Sequence, residues 1–284
     1  MKHTICPALV LLSTLAVPLW PAPVSAAPLV TANVSDNTGT STPTQSQSSG
    51  SVSDVESGAN ISGSTDGTAF ASFGLLRAFG QSSAVRSNLI FSYSNASWKD
   101  DFLIDAPGLS GTFGKVKVLF MIDGSLSASS NGATPINGFS LTESKGEAAY
   151  TFGVDPSSSD TKRETRRADG TSDGTPFLGI LQEVVLDFTY GQWLNNVTLR
   201  INARSQAYAE NFGAFTASSS ANMANTATWE GFAEVLDAGN NVVTNYSFQS
   251  ASGANYAQSI PEPGSATLLA ATGLLVGLTR RKRR

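Results

Sequence analysis

The sequence predicts an all-β fold, an antiparallel β-sandwich of jelly-roll type, on three observations. From about Ile61 to Tyr256, short apolar and aromatic runs alternate with clusters of Gly, Asn, Asp, Ser and Pro. Two runs, Val116-Lys117-Val118-Leu119-Phe120 and Val197-Thr198-Leu199-Arg200-Ile201-Asn202, carry apolar residues at every second position, the period of a half-buried strand. No segment of the body sustains a helical period, so an α/β enzyme fold lacks its helices.

Strands are expected at 69–79, 87–93, 102–104, 115–122, 148–154, 181–190, 196–208, 228–236 and 241–248. Each is an apolar or aromatic run bounded by turn-forming residues. Asp237-Ala238-Gly239-Asn240-Asn241 reads as a hairpin loop, and Ile122-Asp123-Gly124-Ser125 has the Asp-Gly turn signal. Residues 155–176, polar and rich in Asp, Gly, Ser and Thr, are expected to form a long surface loop. No fixed-period repeat occurs, which weakens a solenoid or propeller.

The domain plan has four parts. Residues 1–26 form a signal peptide, 27–60 a flexible Ser/Thr-rich leader, 61–258 the sandwich body and 259–284 a terminal address. The leader expectation rests on Asn37 to Ser51, which offer almost nothing to bury. At the amino end, Lys2 and His3 precede an apolar stretch from Ile5 to Trp20, and Val24-Ser25-Ala26 supplies small residues for cleavage before Ala27. That is the layout read by a secretion translocon and signal peptidase.

Removing the two ends sharpens the composition. The only Cys, Cys6, and the only His, His3, lie in the signal peptide. The mature body therefore lacks disulfides, a thiolate nucleophile, a Ser-His-Asp relay and any His or Cys ligand set. Taking Lys2 and five basic tail residues from the 18 Lys and Arg leaves 12, and taking Glu262 from the 22 Asp and Glu leaves 21. A body near −9 repels phosphate backbones, so no nucleic-acid partner is expected.

The tail has three parts: Pro261-Glu262-Pro263-Gly264, an apolar run from Ser265 to Thr279, and Arg280-Arg281-Lys282-Arg283-Arg284. The run spans about 20 Å as a helix, short of a hydrocarbon core of ~30 Å. The basic cluster offsets this, because Arg and Lys stay on the cytoplasmic side and snorkel along their methylene stems. A single short transmembrane helix, anchored transiently, is the expectation. Pro261 and Pro263 keep the segment outside the membrane extended and open to a processing enzyme. Pro263 or Gly264 stands where a helix starts without losing an internal hydrogen bond.

These residues, 260–284, resemble a PEP-CTERM sorting signal, the substrate tail of exosortases in Gram-negative bacteria. The resemblance implies recognition by a membrane-embedded, cysteine transpeptidase-like enzyme, a cut near Pro-Glu-Pro, and delivery of the body to the cell surface or matrix. It implies a destination and leaves activity open. The expected role is non-catalytic and structural, in an exopolysaccharide or biofilm matrix.

Two other classes compete. Trp98, in the polar setting Asn95-Ala-Ser-Trp-Lys-Asp-Asp101, offers a flat face for sugar stacking, which would make the body a carbohydrate-binding module for exopolysaccharide. Trp193 and Trp229 are alternatives, although most tryptophans in such domains pack the core. A matrix glycosidase needs only two suitably spaced carboxylates, and Asp100, Asp101 and Asp105 cluster near Trp98. Asp169 and Asp173, in Asp-Gly-Thr-Ser-Asp-Gly, place carboxylates on a tight turn of the kind that binds calcium. Ile180 stands where a closing Glu belongs, and Asp and Gly favour turns without an ion. No cofactor is expected beyond that calcium. The basic residues Lys162, Arg163, Arg166 and Arg167 suit acidic polysaccharide or a solvated loop.

Overall fold

A computed structural model describes residues 27–36, 45–60, 63–85, 88–131, 142–151, 159–168, 170–174, 179–209 and 216–259. Among them the fold is all-β, and every strand pairing is antiparallel. The strands in chain order are β1 (Leu29–Asp36), β2 (Gln45–Gln47), β3 (Ser51–Asn60), β4 (Gly63–Ser72), β5 (Leu75–Ala84), β6 (Asn88–Asp105) and β7 (Phe113–Asn131). They continue with β8 (Thr142–Thr151), β9 (Ser159–Arg167), β10 (Ser172–Gly174), β11 (Leu181–Thr189), β12 (Trp193–Ala209), β13 (Thr216–Asp237) and β14 (Ser247–Ser250).

Two sheets face each other. One has the order β10-β9-β8-β12-β6-β1-β2, with β14 also on β6; the other runs β11-β7-β13-β5-β4-β3. β12 pairs along one edge of β6, while β1 and β14 share the other edge at Ser92–Lys99 and Phe102–Asp105. The strand that carries Trp98 is thus enclosed on both sides.

The interior changes character along its length. At one end, Trp98, Phe102, Trp229, Phe232, Phe248 and Tyr256 form a cluster of stacked and edge-on rings. At the other, most inward positions are glycine, alanine and serine, with Val34 and Ile90 among them. There the sheets approach so closely that serines of one layer bond to main-chain carbonyls of the other. Ser92 Oγ donates to Asp66 O (3.0 Å), Ser94 Oγ to Phe79 O (2.5 Å), Ser82 Oγ to Ser205 O (3.1 Å) and Ser219 Oγ to Gln206 O (2.7 Å). A Cβ at Gly67 would lie 2.4 Å from Val34 Cγ1, so the close approach needs glycine there.

Several expectations are corrected. Residues 29–36 and 45–60 of the expected flexible leader form β1, β2 and β3. Val30, Ala32, Val34 and Val52 are buried in the main core, so neighbouring strands supply the packing that composition did not promise. The run 69–79 is a hairpin turning at Phe73 and Gly74, where Gly74 has φ +77°. Residues 88–93 and 102–104 fall within one strand, β6, while Ser87 lies outside the described residues. Asp123-Gly124 lies inside β7 opposite an irregularity of β13, where cross-strand pairing overrides turn propensity. Within 155–176, Ser159–Arg167 and Ser172–Gly174 pair as a hairpin. Of the run 241–248, only its last two residues belong to a strand, while Val242 makes an isolated bridge to Leu236.

The hairpin loop at Asp237–Asn241 is present. The Asp237 carboxylate accepts from Gly239 N and Asn241 N, both at 2.8 Å, and Asn240 takes φ +60°. Those bonds hold the Asp237 carboxyl below the usual range, the Asn241 amide contributing most.

Candidate functional site

Ala26, Pro261, Glu262, Pro263, Gly264 and the cluster Arg280, Arg281, Lys282, Arg283 and Arg284 lie outside the described residues, as does the expected span between them. Ala27 is the first described residue and is exposed. Among the described residues no helix is long and apolar enough to cross a membrane.

What the structure describes is the segment leading up to Pro261-Glu262-Pro263. After β14 the chain runs as a strap across the aromatic end of the interior, from Ala251 to Ser259. Ala251 N donates to Asp101 O at 3.0 Å, and Ser252 N donates to Asp100 Oδ1 at 3.0 Å, while Ser252 Oγ bonds to Asp100 Oδ2. Tyr256 is fully buried, its ring 5.0 Å from that of Trp98, 4.8 Å from Phe102 and 5.3 Å from Trp229. Its carbonyl accepts from Trp229 Nε1 at 2.6 Å. Two residues later Gln258 bridges to Gly231, whose φ of +100° and closeness to the Gln258 backbone leave no room for a side chain. The core therefore takes in the chain almost to the motif.

Trp98 does not stand in a polar loop. It lies on β6 with no exposed surface, facing inward among Phe102, Trp229 and Tyr256, so a sugar ring has no access to it. The polar neighbours that suggested a loop are the outward positions of a strand and two buried aspartates, Asp100 and Asp101. Trp229 is equally buried, and Trp193 is half-buried at the start of β12.

The three clustered carboxylates also have structural partners. Asp100 holds Ser252 and also accepts from Asp101 N at 2.9 Å. Asp101, fully buried, accepts from Asn196 N at 2.8 Å where β12 bulges against β6 and Asn196 takes φ +61°. Asp105 Oδ1 caps the turn after β6, accepting from Ala106 N (2.9 Å) and Ser110 Oγ (2.7 Å).

Burial pushes the Asp100 carboxyl above its ordinary value of 3.8, while the bonds from Ser252 and the Asp101 amide pull it down. The folded state thus holds the Asp100 proton more tightly than the unfolded chain. Stability from this group is fullest below pH 3.8 and falls as pH rises towards the raised value. Asp100→Asn is expected to flatten that slope in denaturation curves taken between pH 4 and 7 at constant salt. Asp100→Ala is expected to cost about 1–3 kcal/mol, since Ser252 N loses its acceptor. Equal pH slopes in wild type and Asp100→Asn would remove the assignment.

The Tyr256 phenol is held well above its ordinary range, by burial first and then by the Asp100 charge. Asp169 lies outside the described residues. Asp173 sits on β10, its Oδ1 accepting from Gly174 N at 2.8 Å and its Oδ2 3.7 Å from Arg167 Nη2. Among the described residues no group of three His, Cys, Asp or Glu side chains is placed to hold a metal. Of the basic patch, Arg166 is exposed and Arg167 half-buried beside Asp173.

Sequence reasoning missed Ser252, Tyr256 and Gly231. A faint signal was there: Tyr256 is a lone aromatic in a polar stretch, Ser250 to Ser259, immediately ahead of the Pro-Glu-Pro motif. Near the turn after β6, Tyr246 and Asn245 border an open cavity that no sequence pattern announced. No protein-family model matches the chain, and no curated protein matches it.

Proposed function

We propose that the chain is an exported cell-surface or extracellular-matrix protein, processed by an exosortase at Pro261–Gly264, whose body has a structural, non-catalytic role in exopolysaccharide or biofilm matrix. The carrying observation is the tail: a Pro-Glu-Pro-Gly motif, an uncharged run and five basic residues in order. The place where the core ends supports the reading. Tyr256 completes the aromatic cluster and, among the described residues, Gln258 is the last that is bridged, so a cut at the motif leaves the body whole.

On this reading the body is a jelly roll. The order β5-β13-β7-β11 in one sheet and β6-β12-β8-β9 in the other supports the name, with successive strands β5, β6, β7 and β8 alternating between layers. β3 and β4 widen the first sheet and β1 and β2 the second. The non-catalytic role is supported by a mature body without Cys or His, and by backbone bonds that engage the Asp100 and Asp101 carboxylates.

Intact-mass analysis of the protein from its native cell surface tests the proposal. The expected species begins at Ala27 and ends near Pro261–Gly264, with or without an added group. Full-length protein in the cytoplasm with both ends intact would overturn it, as would a native genome without an exosortase.

A further inference from the structure

The cavity beside the turn after β6 has a chemistry that neither sorting nor core packing uses. Its volume is about 330 Å³ and it opens to solvent, within the range of roughly 300–1,000 Å³ typical of small-molecule sites. Asp105, Gly108 and Ser110 line it from the turn, and Asn245, Tyr246 and Ser247 from the segment entering β14. The register Ser247↔Asp105 fixes these two segments against each other, so the cavity is built on paired strands.

Its polar groups are ordered and available. Ala106 N and Ser110 Oγ hold Asp105 Oδ1, which orients the carboxylate and leaves Oδ2 without a hydrogen-bond partner among the described residues. The Tyr246 hydroxyl and the Asn245 amide are likewise unengaged there. The Tyr246 ring is half-buried, packed against the main core yet bordering the cavity.

The lining selects among ligand classes. With no Lys or Arg among the described lining residues, an anion finds no counter-charge there. Among the described residues no group of three His, Cys, Asp or Glu side chains gathers here to hold a metal ion. An aromatic ring beside a carboxylate, an amide and hydroxyls suits a molecule with C–H faces and several O–H donors.

We infer that this cavity is a binding site for a neutral saccharide, with a pyranose C–H face against Tyr246, a sugar hydroxyl donating to Asp105 Oδ2, and Asn245 bonding a second hydroxyl. The site is independent of the sorting signal, because cleavage at residues 261–264 leaves both lining segments in place. Its failure and the failure of exosortase processing are therefore separate results.

Titration calorimetry of the full-length protein in detergent micelles tests it, with cellotetraose, laminaritetraose and maltotetraose as probes. Saturable binding of at least one is expected. Tyr246→Ala is expected to weaken it tenfold or more and Asp105→Asn about tenfold, the loss of one charge-assisted hydrogen bond. Tyr246→Phe keeps the ring and retains most of the affinity. Thermal unfolding of each variant separates a lost site from a lost fold, and Tyr246→Phe with Asn245→Ala serves as a second probe if Tyr246→Ala unfolds. Absence of binding by all three probes overturns the inference, as does affinity unchanged in variants that remain folded.

Discussion

Ending the chain after Gly253 is expected to destabilise the body severely, whereas ending it after Ser259 is expected to leave its stability unchanged. The shorter form loses Tyr256, whose ring lies about 5 Å from those of Trp98, Phe102 and Trp229. Deleting a buried aromatic side chain costs about 3–5 kcal/mol. The Trp229 indole also loses its acceptor, the Tyr256 carbonyl, which adds about 1–3 kcal/mol for a stranded buried donor. Against a total stability of roughly 5–15 kcal/mol, the sum leaves little folded protein. Urea denaturation of residues 27–253 and 27–259 measures the difference, and equal midpoints would show that the strap is not part of the core.

Trp98→Ala is expected to cost about 3–5 kcal/mol through the cavity it opens between the sheets. Trp98 touches three other aromatic rings and has no exposed surface. Its indole nitrogen has no acceptor among the described residues, so its contribution is ring volume and contact. Trp98→Phe, which keeps much of that volume, is expected to cost distinctly less. Chemical denaturation of both variants gives the ranking. A glycan-binding change in folded Trp98→Phe without a stability change would contradict this placement.

The parts legible in the sequence are those where one face of a strand is oily and the other wet. Val116–Phe120 and Val197–Asn202 show that pattern and lie in β7 and β12 as expected. β6 escaped whole recognition because its inward positions include Ser92, Ser94 and Ala96, small or polar residues required where the layers nearly touch. The same closeness hid the outer ends of β4 and β5, whose interior carries Gly67, Gly80 and Ser82. Hydropathy loses its period when burial is achieved by smallness. Trp98 misled for a related reason: its polar flanks are Asp100 and Asp101, buried and bonded to distant backbone. The proposed terminal address, by contrast, is read from local order and charge alone. The strap depends largely on distant partners, Asp100, Trp98, Phe102 and Trp229, and the lone Tyr256 was its one faint local sign.

The central place of β13 between β5 and β7 has a kinetic consequence. Seven of the twelve strand pairings among the described residues join strands that are not consecutive in the chain, and such topologies fold slowly, in about milliseconds to seconds. β5 has no partner on that side until residues 216–237 arrive, and the ring cluster waits longer still, for Tyr256. On the proposed route, the polypeptide would cross the membrane as a loose thread that cannot lock prematurely. It would acquire its final shape only when residues 260–284 are all that remain to be threaded.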